Sequence, residues 1–147
     1  MQHLATADSV SVRLETVLTR LSAHFRGMPE SKLLGRLRDG RSRAAAGHEL
    51  AGRVALAAQG VEDRGLPVPP TWRRLPFEGP FVVGDQIGVT GHDLLVACTS
   101  AVADDSLRSA GEVWASGDGR RGERVGLEVL LGRVLAAAEE LAAGLRL

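Results

Sequence analysis

The chain has 147 residues, 44% of them hydrophobic, and its 18 basic side chains balance its 18 acidic ones. This length and hydrophobic content fit one domain with its own core and exclude a disordered chain. The neutral balance excludes a general attraction to nucleic acid or anionic membranes. A single cysteine excludes a disulfide framework and a cysteine-built zinc cluster, and a 3% aromatic content leaves Leu, Val and Ala to build the core.

The beginning of the chain has neither a basic cluster nor an apolar run, and the longest apolar stretches are far shorter than a bilayer span. We therefore expect no secretory signal, no contact with a membrane, and a cytoplasmic protein. Lys32 is the only lysine among the 18 basic residues. Together with the abundance of Ala and Gly, this bias indicates a GC-rich bacterial coding sequence.

Apolar residues at spacings of three and four predict two helices in the first half of the chain. The first covers about 8–26 and ends at Gly27, which can adopt the left-handed conformation of a helix cap. The second covers about 29–64, and its inner face consists mostly of small residues, so a bend or break near Asp39–Gly40 is expected. That face comprises Leu33, Leu37, Gly40, Ala44, Gly47, Ala51, Val54, Ala58 and Val61.

Five prolines between residues 65 and 84 exclude a continuous helix there. The same segment contains three of the five aromatic residues of the chain, which a solvated linker would not need. We expect an ordered crossover loop whose rings cover the open side or end of the helices. These rings belong to Trp72, Phe77 and Phe81.

The second half of the chain predicts three more helices, at about 85–103, 105–116 and 122–145. A hairpin that pairs 81–83 with 86–89 is the alternative for the start of the third helix. The resulting fold class is all-α. It is a compact four-helix bundle with one extra short helix and an ordered loop between the second and third helices, in a single domain spanning 1–147.

Self-association is the first functional hypothesis, because the last helix carries a wide apolar stripe in a strict four-three alternation. Residues 1–75 carry 12 basic and 7 acidic side chains, whereas residues 76–147 carry 6 and 11. These opposite charges attract either within the chain or between two copies. We expect a non-enzymatic interaction module that forms a homodimer or binds a helical partner. The interface candidates are Leu127, Leu130, Leu131, Val134 and Leu141.

The alternative hypothesis is a ligand-binding protein or metal-dependent enzyme with a pocket under the crossover loop. The pocket would be lined by Trp72, Phe77, Phe81, His92 and Asp93. Two His–acid doublets could meet if their helices were adjacent, and imidazoles with carboxylates suit zinc or iron. The candidate metal ligands are His48, Glu49, His92 and Asp93. Both histidines lie at the edge of an apolar stripe, where a structural role is commoner.

Other polar features carry weaker signals. Arg36, Arg38, Arg41 and Arg43 would encircle a continuous helix rather than line one face, and no aromatic residue lies among them, so nucleic-acid binding is not expected. Cys98 lies on an inner helix face as a small hydrophobic residue. We assign no catalytic residue and expect no cofactor.

Overall fold

The computed structural model describes residues 2–104, 111–117 and 121–147, and most of them are helical. The helices are α1 (Gln2–Arg26), α2 (Glu30–Leu33), α3 (Arg43–Glu62), α4 (Val83–Ala103) and α5 (Leu127–Gly144), with a 3₁₀ turn at Pro80–Val82. Two short strands, β1 (Glu112–Ser116) and β2 (Gly122–Gly126), form an antiparallel sheet. The all-α prediction is therefore broadly confirmed, whereas the small sheet was not predicted.

The core lies between the long helices. Both α1 and α3 pack against α4 and α5. Among the described residues the fully buried interior consists of aliphatic side chains, as the composition predicted. The largest are Leu14, Leu21, Leu33, Ile87, Leu94, Leu131, Val54 and Val61.

Glycine allows two helices to approach closely at one point of the core. The Oγ of Ser22 on α1 donates a hydrogen bond to the Gly84 carbonyl of α4 at 2.8 Å. A Cβ atom at Gly84 would lie only 2.9 Å from backbone atoms of Ser22 and Arg26. A side chain at this position would force α1 and α4 apart.

The single helix predicted over 29–64 is wrong, because the chain breaks after α2 and begins again at α3. Gly40 has φ +91°, which a helix does not allow. Ser42 then caps α3 by accepting a hydrogen bond from the Ala45 backbone N–H at 3.0 Å. The expected break near Asp39–Gly40 is confirmed, and the small-residue face beyond it is buried as α3.

The helix predicted over 105–116 is also wrong where the structure describes it, since 112–116 form β1. Likewise the last helix begins at Leu127, because 122–126 form β2. The pairing places Trp114 opposite Arg124, whose guanidinium lies 4.8 Å from the Trp114 ring centroid. Burial of Val113, Trp114 and Ala115 against the helices stabilises the strand over the helix that the local spacing favoured. Residues 105–110 and 118–120 lie outside the described residues.

The crossover loop has no helix or strand over 65–79 and is fixed by side chains. Gln59 of α3 accepts a hydrogen bond from the Arg73 backbone N–H at 3.0 Å and donates one to the Arg73 carbonyl at 3.1 Å. Trp114 Nε1 donates to the Leu66 carbonyl at 3.1 Å. The hairpin alternative at 81–89 is excluded, because Pro80 opens a 3₁₀ turn that continues into α4. In the described part of the chain, no helix combines the length and apolarity needed to cross a bilayer.

Candidate functional site

The aromatic residues of the crossover loop do not form the roof of a shared pocket. Phe77 and Phe81 are 56% and 63% exposed. Trp72 is half-buried and lies over Gly60, near the C-terminal end of α3. Phe77 instead contacts His48 of α3. His48 precedes Gly60 by twelve residues, so the two positions are about 18 Å apart along the helix axis. The predicted pocket residues are therefore separated rather than brought together.

His48 has a structural role between α3, α4 and the loop. Its Nδ1 lies 3.0 Å from the Gln86 Oε1 atom of α4. The Gln86 amide nitrogen donates to the Pro76 carbonyl at 2.9 Å, which orients the amide so that its oxygen accepts from the imidazole. The Phe77 ring meets the imidazole edge-on, with centroids 5.2 Å apart. The ring is thus held by contacts typical of a boundary histidine.

The candidate metal ligands do not form a cluster. Glu49 is paired with Arg41 and Arg53, while His92 and Asp93 are exposed on α4. Within the described ranges, no group of three or more His, Cys, Asp or Glu side chains is placed to hold a metal ion. The metal hypothesis therefore gains no support from the geometry.

Cys98 is buried in α4, and this burial raises the pKa of its thiol to about 12. The nearby positive charge of Arg64 opposes the shift but does not cancel it. A thiol with this pKa stays protonated near neutral pH, so it is neither a nucleophile nor a ready metal ligand.

The interface predicted on the last helix must be corrected. All five of its residues are at least nine-tenths buried within the chain, because α1, α3 and the sheet cover the wide stripe of α5. The stripe is wide because it faces three neighbours rather than two. These core residues are Leu127, Leu130, Leu131, Val134 and Leu141.

The exposed apolar surface lies on α4 instead. This helix packs on α1 and α3, and the side turned away from both carries Val89 and Val96, which are 60% and 51% exposed. We call this side the α4 outer face; it comprises Asp85, Val89, His92, Asp93, Val96 and Ser100. The sequence analysis named His92 and Asp93 but missed the two valines. Their signal was a pair of apolar residues one heptad apart and off the buried stripe.

No protein-family model, no curated protein and no solved structure matches the chain.

Proposed function

We propose that this protein is a non-enzymatic helical interaction module that self-associates through the α4 outer face. We take α1, α3, α4 and α5 to form a four-helix bundle, since α1 and α3 each pack against both α4 and α5. One observation supports the choice of surface. On the outer face of α4, Val89 and Val96 lie at equal distances on either side of the midpoint between His92 and Asp93, and the other residues of the face fall into two complementary polar pairs about the same point.

A two-fold axis at that midpoint would make the face complementary to itself. Val89 would then lie opposite Val96 of the second copy, and His92 opposite Asp93 of the second copy. Asp85 would lie opposite Ser100, a hydroxyl that can donate to its carboxylate. Two-fold dimers need such a self-complementary patch, which a heterologous partner would not require.

The size of the apolar patch points to a weak dimer. Burying the exposed half of one valine contributes about 1 kcal/mol, so four valines contribute about 4 kcal/mol. Phe81, one turn before α4, adds apolar area at the edge of the face. The Arg26–Asp85 ion pair, 2.7 Å long, lies at the same end as an exposed polar rim. Because association has its own entropic cost, we expect a dimer that depends on concentration.

Analytical ultracentrifugation over a range of concentrations tests the proposal. The wild-type chain should form a detectable fraction of dimer at about 1 mM, whereas Val89→Asp should stay monomeric because it buries a charge against Val96 of the second copy. Val12→Asp is the matched control, since Val12 is 64% exposed on α1, away from the α4 outer face. A wild-type chain that remains monomeric at about 1 mM, or equal loss of dimer in both variants, would contradict the proposal.

Disulfide trapping tests the antiparallel register. Val89→Cys and Val96→Cys variants should cross-link to each other when mixed under oxidising conditions, and each should cross-link poorly with itself. The native thiol of Cys98 is buried and should not compete. Preferential cross-linking of Val89→Cys with itself would instead indicate parallel helices and exclude the proposed axis.

A further inference from the structure

A second surface carries a cluster of positive charges. Its residues come from other parts of the chain than the α4 outer face. The turn between α2 and α3 meets the end of α5 around an open groove of about 810 Å³. Among the described residues, four arginines and several apolar side chains line it, and no carboxylate side chain does. We call it the arginine groove; its principal residues are Arg36, Arg38, Arg43, Arg146, Leu37 and Leu145.

In the part of the chain that the structure describes, no acidic side chain forms an ion pair with an arginine of the arginine groove. Arg36 and Arg43 donate to the backbone carbonyls of Gly40 and Lys32, at 2.5 and 3.2 Å. These bonds orient the two guanidinium groups without neutralising their charge. Within the described ranges, neither Arg38 nor Arg146 forms an ion pair with an acidic side chain.

Arg41, in the same turn, differs from the groove arginines because acidic side chains neutralise its charge. Its guanidinium binds the carboxylates of Asp39 and Glu49, and it faces a neighbouring depression that Glu140 also lines. The chain therefore neutralises Arg41, whereas the groove arginines form no ion pair with an acidic side chain of the described residues, although Arg38 also borders the depression that Glu140 lines. The prediction that Arg36, Arg38, Arg41 and Arg43 encircle a helix is wrong, because the helix breaks at this turn.

Arg146, which lines the groove, has an unfavourable backbone conformation. Its φ is +60°, in the left-handed region that favours glycine. The hydrogen bonds from Arg146 N to the Ala143 carbonyl and from Leu147 N to the Ala142 carbonyl form a Schellman cap, where glycine is the usual residue. An arginine at this position adds charge to the groove at a cost in stability.

We infer that the arginine groove binds a small soluble molecule that carries two or more phosphate groups. Guanidinium groups bind phosphate oxygens in pairs of parallel hydrogen bonds, and several of them around one cavity suit more than one phosphate. The volume lies within the range of small-molecule sites. The N-terminal end of α3 at Arg43 adds a favourable dipole. The C-terminal end of α5 opposes an anion, and the hydrogen bonds to the Ala142 and Ala143 carbonyls reduce this opposition. This inference does not depend on self-association through α4.

Isothermal titration calorimetry of the full chain with inorganic triphosphate, at about 50 mM salt, tests the site. The wild-type protein should bind about one triphosphate per chain. Arg38→Gln and Arg146→Gly should each weaken binding about tenfold, since each removes a guanidinium from the groove. Arg53→Gln is the matched control, because Arg53 is an exposed arginine that lines the neighbouring depression and pairs with Glu49. It should change the affinity less than about twofold.

Three results would overturn the inference. The first is no detectable heat with triphosphate, and the second is equal weakening in Arg53→Gln, which would indicate unspecific charge attraction. The third is a short single-stranded RNA that binds more than about tenfold tighter than triphosphate, with affinity lost in Arg53→Gln as well. That outcome would identify an extended nucleic-acid surface instead of a groove for a small ligand.

Discussion

The polar side chains at the two ends of α3 differ in their partners. At the end near Glu62, which we call the closed end, Gln59 holds the backbone of Arg73, and Arg64 pairs with Asp104 at 2.9 Å. The sheet covers this end, and Trp114 lies against Gly60. At the end near Arg43, which we call the open end, the arginine groove leaves its charges facing solvent.

The same residue types therefore stabilise the fold at one end of α3 and remain accessible to a ligand at the other. At the closed end, arginine and glutamine side chains form bonds within the chain and fix the crossover loop and the sheet. At the open end, two arginines of the groove donate to backbone carbonyls, and the other two form no ion pair with an acidic side chain of the described residues. Arg146 also occupies an unfavourable backbone conformation. Binding sites commonly hold such locally unfavourable arrangements, so the open end is the part of α3 where we expect a ligand.

The largest expected effect is at the closed end, where Gly60→Ala should destabilise the protein by about 3 kcal/mol. A Cβ atom there would overlap the carbonyl group of Trp114, and a backbone group cannot move aside as a flexible side chain can. Gly52→Ala is the matched control on the same helix, because nothing lies within 4 Å of its Cβ position. It should stabilise by about 0.5–1 kcal/mol. Urea denaturation measures both, and similar values for the two variants would show that Gly60 is not closely packed.

A smaller effect is expected when the clamp on the crossover loop is removed. Gln59→Leu deletes both hydrogen bonds to the Arg73 backbone, which together contribute about 1–2 kcal/mol. Trypsin should then cleave after Arg73 or Arg74 at least about fivefold faster, because local opening of the loop becomes easier. Cleavage after Arg20 on α1 is the internal control. An equal increase at Arg20 would indicate global rather than local opening.

At the open end, Arg146→Gly should raise the free energy of unfolding by about 1 kcal/mol, because glycine adopts the left-handed conformation without steric cost. Arg146→Ala is the control that removes the same charge but keeps the Cβ atom. If both variants gain equally in thermal and urea denaturation, charge repulsion rather than backbone conformation is the cause.

The smallest effect concerns the turn itself. The hydrogen bond from the Arg41 side chain, aided by the Arg41 backbone N–H, holds the pKa of Asp39 below its ordinary value of 3.8. A carboxyl whose pKa falls on folding stabilises the native state above its unfolded pKa, and this contribution is lost as pH falls through the folded value. Asp39→Asn should therefore melt slightly below the wild type at about pH 7, and the gap should close below pH 3.8. A gap that does not narrow as the pH falls below 3.8 would contradict this electrostatic cause.

The secondary structure was predictable from the sequence where a segment has a strong helical period. It was not predictable where a local turn or a contact distant in sequence decides the conformation. The stripes of α1, α4 and α5 repeat over several turns, so their burial follows from spacing alone. In contrast, the helical period of Leu33 and Leu37 continues into α3 in the sequence, but Gly40 and the Ser42 cap impose a turn between them and α3. The pairing of β1 with β2 depends on contacts with α3 that sequence spacing does not encode, because a two-stranded sheet is barely stable alone.

The site could be predicted only in part for the same reasons. His92 and Asp93 were named as candidate pocket and metal residues, a role that the structure does not support. The meaning of Val89 and Val96 depends on which sides of α4 its neighbours cover. The arginine groove was not predictable, since Arg146 joins the basic turn only through the packing of α5 beside α3.

The placement of the tryptophans gives the molecule a built-in optical reporter. Both tryptophans lie beside Gly60, Trp72 through its ring and Trp114 through its backbone carbonyl, and the chain contains no tyrosine. Ultraviolet emission therefore follows only the closed end, whereas circular dichroism follows every helix. Recording both signals in one denaturant titration would reveal whether the helices unfold before the closed end does, without any label being attached.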